Sequence, residues 1–199
     1  MDSNAPAHQP LLDVEDLEVL SARAGFLEAI LDQLSKDHDF ADFAQELLRV
    51  VVAASRCEAG SILEVNYQEQ SIFFRTAVGY GADQVVKFVI PFGQGIVGHV
   101  VESKLPFHMS NAEENKKHLA SISHAVGFVV RNMVAIPLVI RGKVFGVIEL
   151  INRIAEDDFS ESDLDEMNQF CRYAAKAIEL RLMMAWAATH GNQKSGEAA

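Results

Sequence analysis

The sequence predicts an α+β fold, in which a central antiparallel sheet is covered by helices and a long helix lies at each end. Three observations lead to this prediction. Apolar segments flank the dipeptide Arg141-Gly142, which is the spacing of a two-residue β-hairpin. Leucines recur at alternating intervals of three and four near the start of the chain, and a capping sequence stands near residue 160. Strands are therefore expected in the middle and helices at both ends.

The first predicted helix, over residues 11–36, has an apolar seam with the spacing of a heptad repeat. The seam consists of Leu17, Leu20, Ala24, Leu27, Leu31 and Leu34. Phe26 and Ile30 are expected to widen it. Because such a seam needs a partner helix, this segment is predicted to be a dimerisation helix. A second helix, after Asp39, has a broader apolar face that suits packing on a sheet.

Strand patterns begin at Gly60 and continue through residues 72–78, which together predict a first hairpin. Residues 133–140 and 143–152 predict a second one. The final helix is expected from 160 to 187, with a capping box formed by Ser160 and Asp163. The polar segments 1–10 and 188–199 are predicted to be flexible tails, so the domain proper spans 37–187 and includes the final helix.

The charge balance excludes some classes of partner. With 17 basic and 28 acidic residues the formal net charge is −11, which opposes direct binding to nucleic acid or to an anionic membrane. The first residues lack the pattern of a secretory signal, and a cytoplasmic protein is expected. The two cysteines, Cys57 and Cys171, match no metal or redox spacing and are predicted to be buried thiols.

A glycine-rich segment stands in the middle of the chain. Gly93 to Gly98 reads G-x-G-x-x-G, which is nominally a dinucleotide-binding fingerprint. That interpretation is disfavoured, because the preceding strands form a hairpin and no βαβ unit follows. Instead, Ile96 to Ser103 is predicted to form a short helix whose first amide groups face a cavity, where an anionic ligand could bind.

Four segments of the sequence, taken in order, resemble one known family. They are Ile90-Pro91 with Gly95-Ile96 and Gly98-His99-Val100, then Val126 to Met133 with Pro137-Leu138, then Gly146 to Arg153, and finally Phe159 to Asp163. They resemble the GAF domains of cyclic-nucleotide phosphodiesterases and adenylyl cyclases over about residues 40–180. The resemblance implies a central antiparallel sheet of about six strands with helices on both faces. It also implies a ligand pocket between the sheet and the region of residues 111–130, and dimers formed by the terminal helices.

The resemblance also implies ligand contacts and a ligand. By position, the contacts fall on Ser61, Ile96, Val97, Ser123, Val126, Val130 and Glu149. Cyclic AMP or cyclic GMP would be the ligand, with no other cofactor. Nucleotide-binding members tend to have Asp and two Thr where this chain has Ser123, Val126 and Val130, and each unpaired polar group costs about 1–3 kcal/mol. A more apolar pocket, or an empty one, is the competing interpretation.

Glu149 interrupts an otherwise apolar strand, and two interpretations remain open for it. It either faces the pocket and accepts hydrogen bonds from a ligand, or it pairs with a base such as Arg131. A partial family signature follows it, made of Asn152, Arg153, Phe159 and Asp163. These four residues are interpreted as a structural motif that fixes the last strand to the last helix.

No metal site is predicted, because none of His99, His108, His118 and His124 has the spacing of a helical zinc pair. The sequence therefore favours a regulatory domain that senses a small molecule and signals through a helical homodimer to an unknown partner protein. The alternative is a dimeric interaction scaffold with a degenerate pocket. A free methionine sulfoxide reductase is less favoured, since that activity needs a thiolate where Val97 stands. The protein is expected not to be an enzyme.

Overall fold

The computed structural model describes residues 14–110, 127, 129–154 and 158–191. The helices in these ranges are α1 (Val14–Ser35), α2 (Phe40–Ala54), α3 (Ala82–Val85), α4 (Gly95–Ser103) and α5 (Glu161–Gly191). The strands are β1 (Cys57–Asn66), β2 (Ser71–Val78), β3 (Val89–Pro91), β4 (Phe107–Met109), β5 (Met133–Ile140) and β6 (Lys143–Arg153). The predicted α+β class is confirmed.

The strands form one sheet in the order β3-β2-β1-β6-β5-β4, and every neighbouring pair is antiparallel. Strands β1 and β6 therefore lie at the centre, although they come from opposite parts of the chain. The described strands contain no parallel pair, so the dinucleotide interpretation of Gly93–Gly98 does not hold for this fold, because it requires a parallel βαβ unit.

One face of the sheet is covered by α1, α2 and α5. The larger hydrophobic core lies here, and its fully buried members include Phe43, Leu47, Leu48, Val51, Ile62, Leu138, Ile148, Leu150, Phe170 and Ile178. Helix α2 lies close to β1 because Gly60 has no side chain: a Cβ there would come within 2.6 Å of a methyl group of Val52. The broad apolar face predicted for the second helix thus packs on the sheet, as expected.

The opposite face is covered by α4. A smaller apolar cluster joins this helix to the sheet, and its buried members are Leu63, Val65, Ile72, Phe74, Ile96, Val97, Val100, Met109, Met133, Ala135, Val144 and Val147. Helices therefore lie on both faces, and the side chains of the central strands divide between two separate cores.

The local signals around β5, β6 and α5 are confirmed. Arg141 and Gly142 have φ angles of 50° and 77°, which is the type I′ geometry of a two-residue hairpin. The Arg141 side chain also donates to Glu179 of α5 at 2.9 Å. At the start of α5, Ser160 Oγ accepts from the Asp163 amide and Asp163 accepts from the Ser160 amide, which completes the capping box. Helix α5 continues to Gly191, so residues 188–191 belong to the helix and not to the predicted tail.

Helix α1 differs from expectation in one respect. Phe26 stacks on Phe170 of α5 with ring centroids 4.3 Å apart, and Ile30 is buried in the same core. These two residues therefore do not widen the leucine seam; they form a second apolar face, which attaches α1 to its own domain. The seam itself faces outwards, with Leu17, Leu20 and Leu31 between 49% and 63% exposed.

Helices α1 and α5 run side by side in the same direction. Phe26 meets Phe170. Ten residues later in the chain, directly after the end of α1, the carbonyl oxygen of Lys36 accepts a hydrogen bond from Arg181 at 3.2 Å. The last three turns of α5, with Leu182, Met183 and Trp186 exposed, therefore extend past the end of α1. Within the described ranges, no helix is both long enough and apolar enough to cross a membrane.

Candidate functional site

A polar pair interrupts the apolar face of the sheet that α4 covers. Ser61 of β1 and Glu149 of β6 are register partners, and Ser61 Oγ donates to Glu149 Oε2 at 2.7 Å. Glu149 alternates with Val147 and Ile151, which both belong to the α4-side cluster, so its carboxyl group points to that side. The pair lies on the two central strands and forms the polar floor of the candidate site.

The alternative interpretation, in which Glu149 pairs with Arg131, is wrong. The guanidinium group of Arg131 binds Glu58 at 2.9 Å instead. In the described part of the chain, the Glu149 carboxyl group has a hydroxyl donor and no cation beside it. Burial raises the pKa of Glu149, and the hydrogen bond from Ser61 opposes only part of that effect.

This raised pKa predicts a pH-dependent stability difference. When the pKa of a carboxyl group is higher in the folded state than in the unfolded state, the free energy of unfolding falls as the pH rises from the unfolded pKa through the folded one. Glu149→Gln is therefore expected to have a higher free energy of unfolding than the parent at pH 7. The difference should vanish below about pH 4, where both states of the parent are protonated.

Urea unfolding across this pH range measures the difference. Glu69→Gln, the same change at an exposed turn residue, is the matched control and should unfold like the parent at pH 7. A Glu149→Gln variant no more stable than the parent at pH 7 would contradict the cause assigned to the pKa shift.

The first turn of α4 forms one wall of the site. Ile96 and Val97 are 9% and 4% exposed, and Val130 packs against the same cluster. The turn is tight because Gly98 lies against the backbone of Gly93, where a Cβ on Gly98 would come within 2.8 Å of the Gly93 carbonyl carbon. The structure thus brings Ser61, Glu149, Ile96, Val97 and Val130 to one face, while Ser123 and Val126 lie outside the described residues.

The four residues of the structural motif lie next to the site. Arg153, at the end of β6, donates to Asp163 of α5 at 3.0 Å and to the carbonyl oxygen of Asp158 at 2.9 Å. Phe159, which stands between Asp158 and Asp163 in the sequence, is buried in the larger core. Burial raises the pKa of Asp163, but hydrogen bonds from Ser160 and the charge of Arg153 together lower it below its ordinary value. Arg153 and Asp163 thus join β6 directly to the beginning of α5.

The prediction that Asn152 joins β6 to α5 is wrong, because its side chain binds groups of β1 and of residues 129–131 instead. Its amide nitrogen donates to Glu58 at 3.0 Å and to the Val129 carbonyl oxygen at 2.9 Å, and its Oδ1 accepts from the Arg131 amide at 2.7 Å. Its φ of 57° is in the left-handed region, which Asn tolerates better than most residues. Asn152 therefore fixes the chain that leads out of the 111–128 region onto the centre of the sheet.

Sequence reasoning missed two members of this network. Glu58 holds both Arg131 and Asn152, and its pKa is lowered, chiefly by the hydrogen bond from Arg131. Asn132 accepts from the Arg153 amide at 2.9 Å. Glu58 has no local signal, since it is one exposed acid in a strand. Asn132 stands in a segment that carried the family resemblance, which was the available sign of its role.

The two thiols lie in the other core. Cys57 and Cys171 are buried in the cluster between the sheet and α5, away from the α4 side. Burial raises the pKa of Cys57 to about 12 and raises that of Cys171 as well, so neither thiol ionises readily. Among the described residues no group of three His, Cys, Asp or Glu side chains is arranged to hold a metal ion.

Comparison with known proteins identifies the family. The profile of the GAF domain matches residues 37–179, and the chain belongs to the GAF domain family. Solved GAF structures share the fold. The GAF domain of an Acinetobacter phosphoenolpyruvate-protein phosphotransferase is 19% identical, with a TM-score of 0.65 over 84% of this chain and 95% of its own. The free methionine-R-sulfoxide reductase of Neisseria meningitidis is 16% identical, with a TM-score of 0.66 over 89% of this chain and 97% of its own.

The curated relatives are much longer proteins. The cone cGMP-specific 3',5'-cyclic phosphodiesterase subunit alpha' of Mus musculus is 29% identical over 93 residues, which are 47% of this chain and 11% of that protein. A probable 3',5'-cyclic phosphodiesterase of Caenorhabditis elegans is 23% identical over 153 residues, which are 71% of this chain and 21% of that protein. The chain thus spans between a tenth and about a fifth of these two relatives.

Proposed function

We propose that this chain is a regulatory domain that senses a small molecule and carries out no reaction itself. The observation that carries the proposal is the Ser61–Glu149 pair. A hydroxyl and a carboxyl group of raised pKa stand together on the central strands, on an otherwise apolar face. Among the described residues no cation lies beside this buried carboxyl group, which makes it costly to keep and favours a binding role for it.

The positions of the two thiols and of Val97 argue against a reductase activity. A GAF-type methionine sulfoxide reductase requires a reactive thiolate at the site. Here Val97 is buried in the wall of the site, whereas Cys57 and Cys171 lie in the opposite core with raised pKa values. The two buried thiols also suit the cytoplasm, where thiols stay reduced, and the proposal places the protein there.

A cyclic nucleotide is the proposed ligand class. Several of the curated relatives are named as cyclic-nucleotide phosphodiesterases, and most of those are named as cGMP-specific. The Glu149 carboxylate could accept hydrogen bonds from the amino and imino groups of a purine, and Ile96, Val97 and Val130 would cover its ring.

The proposed output is a homodimer formed by the terminal helices, which an unidentified partner protein would read. Its support is the unpaired leucine seam of α1 and the exposed apolar end of α5. The same surfaces also favour the second candidate function, a dimeric scaffold whose pocket binds nothing. Ile96, Val97 and Val130 supply no polar side chain to a ligand, which is the observation in its favour.

Thermal unfolding with cyclic AMP, cyclic GMP and unrelated nucleotides separates the two functions. A ligand at 100 times its dissociation constant adds about 2.7 kcal/mol. The melting temperature should then rise by roughly 5–10 °C for a chain of this size. We expect a shift with one cyclic nucleotide, its loss in Glu149→Gln and Ser61→Ala, and its retention in the control Glu69→Gln. If no nucleotide shifts the parent, the scaffold function is favoured.

A further inference from the structure

Helix α1 has two apolar faces, and only one of them is covered. Phe26 and Ile30 attach it to α5, while the leucine seam faces outwards on a neighbouring side of the helix. In heptad notation, position a of the seam holds Leu17, Ala24 and Leu31, and position d holds Leu20, Leu27 and Leu34. Ala24 is also exposed, and Leu34 is half-buried. A helix with this spacing fits the same seam of a second copy.

The charges beside the seam are arranged asymmetrically. Arg23 occupies the g position on one side, and Glu28 occupies the e position on the other. Arg23 is half-buried, and its Nε atom is buried without a hydrogen-bond partner among the described residues. Glu28 is exposed. Arg23 and Glu28 thus place opposite charges on the two sides of the seam.

The relative direction of the two helices decides whether these charges meet. In a parallel, in-register pair, each g residue faces the e residue five positions later on the other helix, so Arg23 of each copy faces Glu28 of the other. In the antiparallel pairings that align this seam, g faces g and e faces e. Arg23 then faces Ile30 or Arg23 of the second copy, and Glu28 faces Ser21 or Val14. Only the parallel pair joins opposite charges.

We propose that two copies of this chain pair their α1 helices in parallel and in register, with Arg23 of each bound to Glu28 of the other. The inference rests on the proposed function for the existence of a dimer, and it adds the direction and the register. Because α1 and α5 run in the same direction within each copy, the exposed ends of both α5 helices emerge at one end of the dimer. Leu182, Met183 and Trp186 of both copies are then presented together to a partner protein.

Disulfide cross-linking tests the relative direction of the two α1 helices. In a parallel pair, residue 24 faces residue 24 of the second copy at a Cα separation of roughly 6 Å, which suits a disulfide. In the antiparallel pairings it faces residue 20 or 27. We therefore expect Ala24→Cys to form a covalent dimer under mild oxidation. The matched control is Glu18→Cys, an exposed residue on the same helix but outside the seam, and it should stay uncross-linked. Cys57 and Cys171 are buried and can be left in place.

Charge exchange tests the pairing. Arg23→Glu and Glu28→Arg each replace two attractive contacts per dimer with two repulsive ones, and each should raise the dimer dissociation constant about tenfold. The double variant restores opposite charges and should return within about threefold of the parent. Sedimentation equilibrium gives these constants. Recovery in the double variant separates the pairing from any effect of Arg23 on the fold of one copy.

The outcomes are distinct. Cross-linking at Ala24 together with recovery in the double variant supports the proposal. A monomeric parent, which would mean that the seam binds another protein, overturns it. So does a dimer that fails to cross-link at Ala24 or whose double variant stays weak. The nucleotide-induced melting shift does not depend on α1 pairing, so its presence in a monomeric variant would uphold the sensing function while this inference fails.

Discussion

Replacing Gly146 with alanine is expected to lower the free energy of unfolding by about 3 kcal/mol or more. A Cβ at this position would overlap the carbonyl oxygen of Leu63 on the neighbouring strand β1. Strands β1 and β6 are the central pair of the sheet, and each has a further strand on its other side. Neither strand can move away without disturbing both cores. Urea unfolding monitored by circular dichroism measures the loss.

The matched control for this prediction is Gly25→Ala. Gly25 lies on the exposed side of α1, and nothing stands within 4 Å of its Cβ position. Alanine is the better helix former, so this variant should gain about 0.5–1 kcal/mol. A Gly146→Ala variant that unfolds within 1 kcal/mol of the parent would show that the close approach of β6 to β1 is not structurally required.

Asn152→Asp should have a comparably large effect, about 3–5 kcal/mol at pH 7. The change keeps the shape of the side chain and its tolerance of a positive φ. It replaces the donor Nδ2 with an oxygen that faces a Glu58 oxygen at 3.0 Å and the Val129 carbonyl oxygen at 2.9 Å. Two hydrogen bonds become repulsive contacts at a residue that is 1% exposed. Denaturant unfolding at pH 7 tests this loss.

The same chemical change at Asn66 provides the control. Within the described ranges, Asn66 bonds only through its Oδ1 atom, which accepts from the amides of Gln68 and Glu69 in the turn between β1 and β2. An aspartate can make both of these bonds, so Asn66→Asp should unfold like the parent. Equal stabilities for Asn152→Asp and Asn66→Asp would remove Asn152 from its assigned role as the link between Glu58 and residues 129–131.

The features that the sequence predicted best depend on neighbouring residues. The type I′ turn at Arg141-Gly142 and the capping box of Ser160 and Asp163 each need only a few consecutive residues, and both are confirmed. The family resemblance extended this to an antiparallel sheet with helices on both faces. The sheet of the structure and the family match over residues 37–179 confirm that fold.

The features that sequence reasoning missed depend on residues far apart in the chain. The partner of Arg131 is Glu58, 73 positions away, and no periodicity connects them. For Glu149, alternation could predict a strand but could not say which face the carboxyl group joins, because both faces of that central strand are apolar. The same limit applies to Phe26 and Ile30. Two apolar faces on one helix give no sign of which one meets the domain itself.

The structure describes five of the seven predicted ligand contacts. The structure brings Ser61, Glu149, Ile96, Val97 and Val130 to the α4 side of the sheet, while Ser123 and Val126 fall outside the described residues. Their roles in binding stay predictions. The affinity of such a site depends on which polar groups find partners once a ligand excludes water.

The β5–β6 hairpin is joined to α5 at both of its ends, by Arg141 with Glu179 at the turn and by Arg153 with Asp163 where β6 ends. These two attachment points lie 16 residues apart on the helix, a span of about 24 Å. In mechanical terms, the hairpin and the helix form a closed frame. A pull along the exposed end of α5 is shared by two ion pairs loaded in shear, and a torque on that helix is transmitted to the strand that carries Glu149.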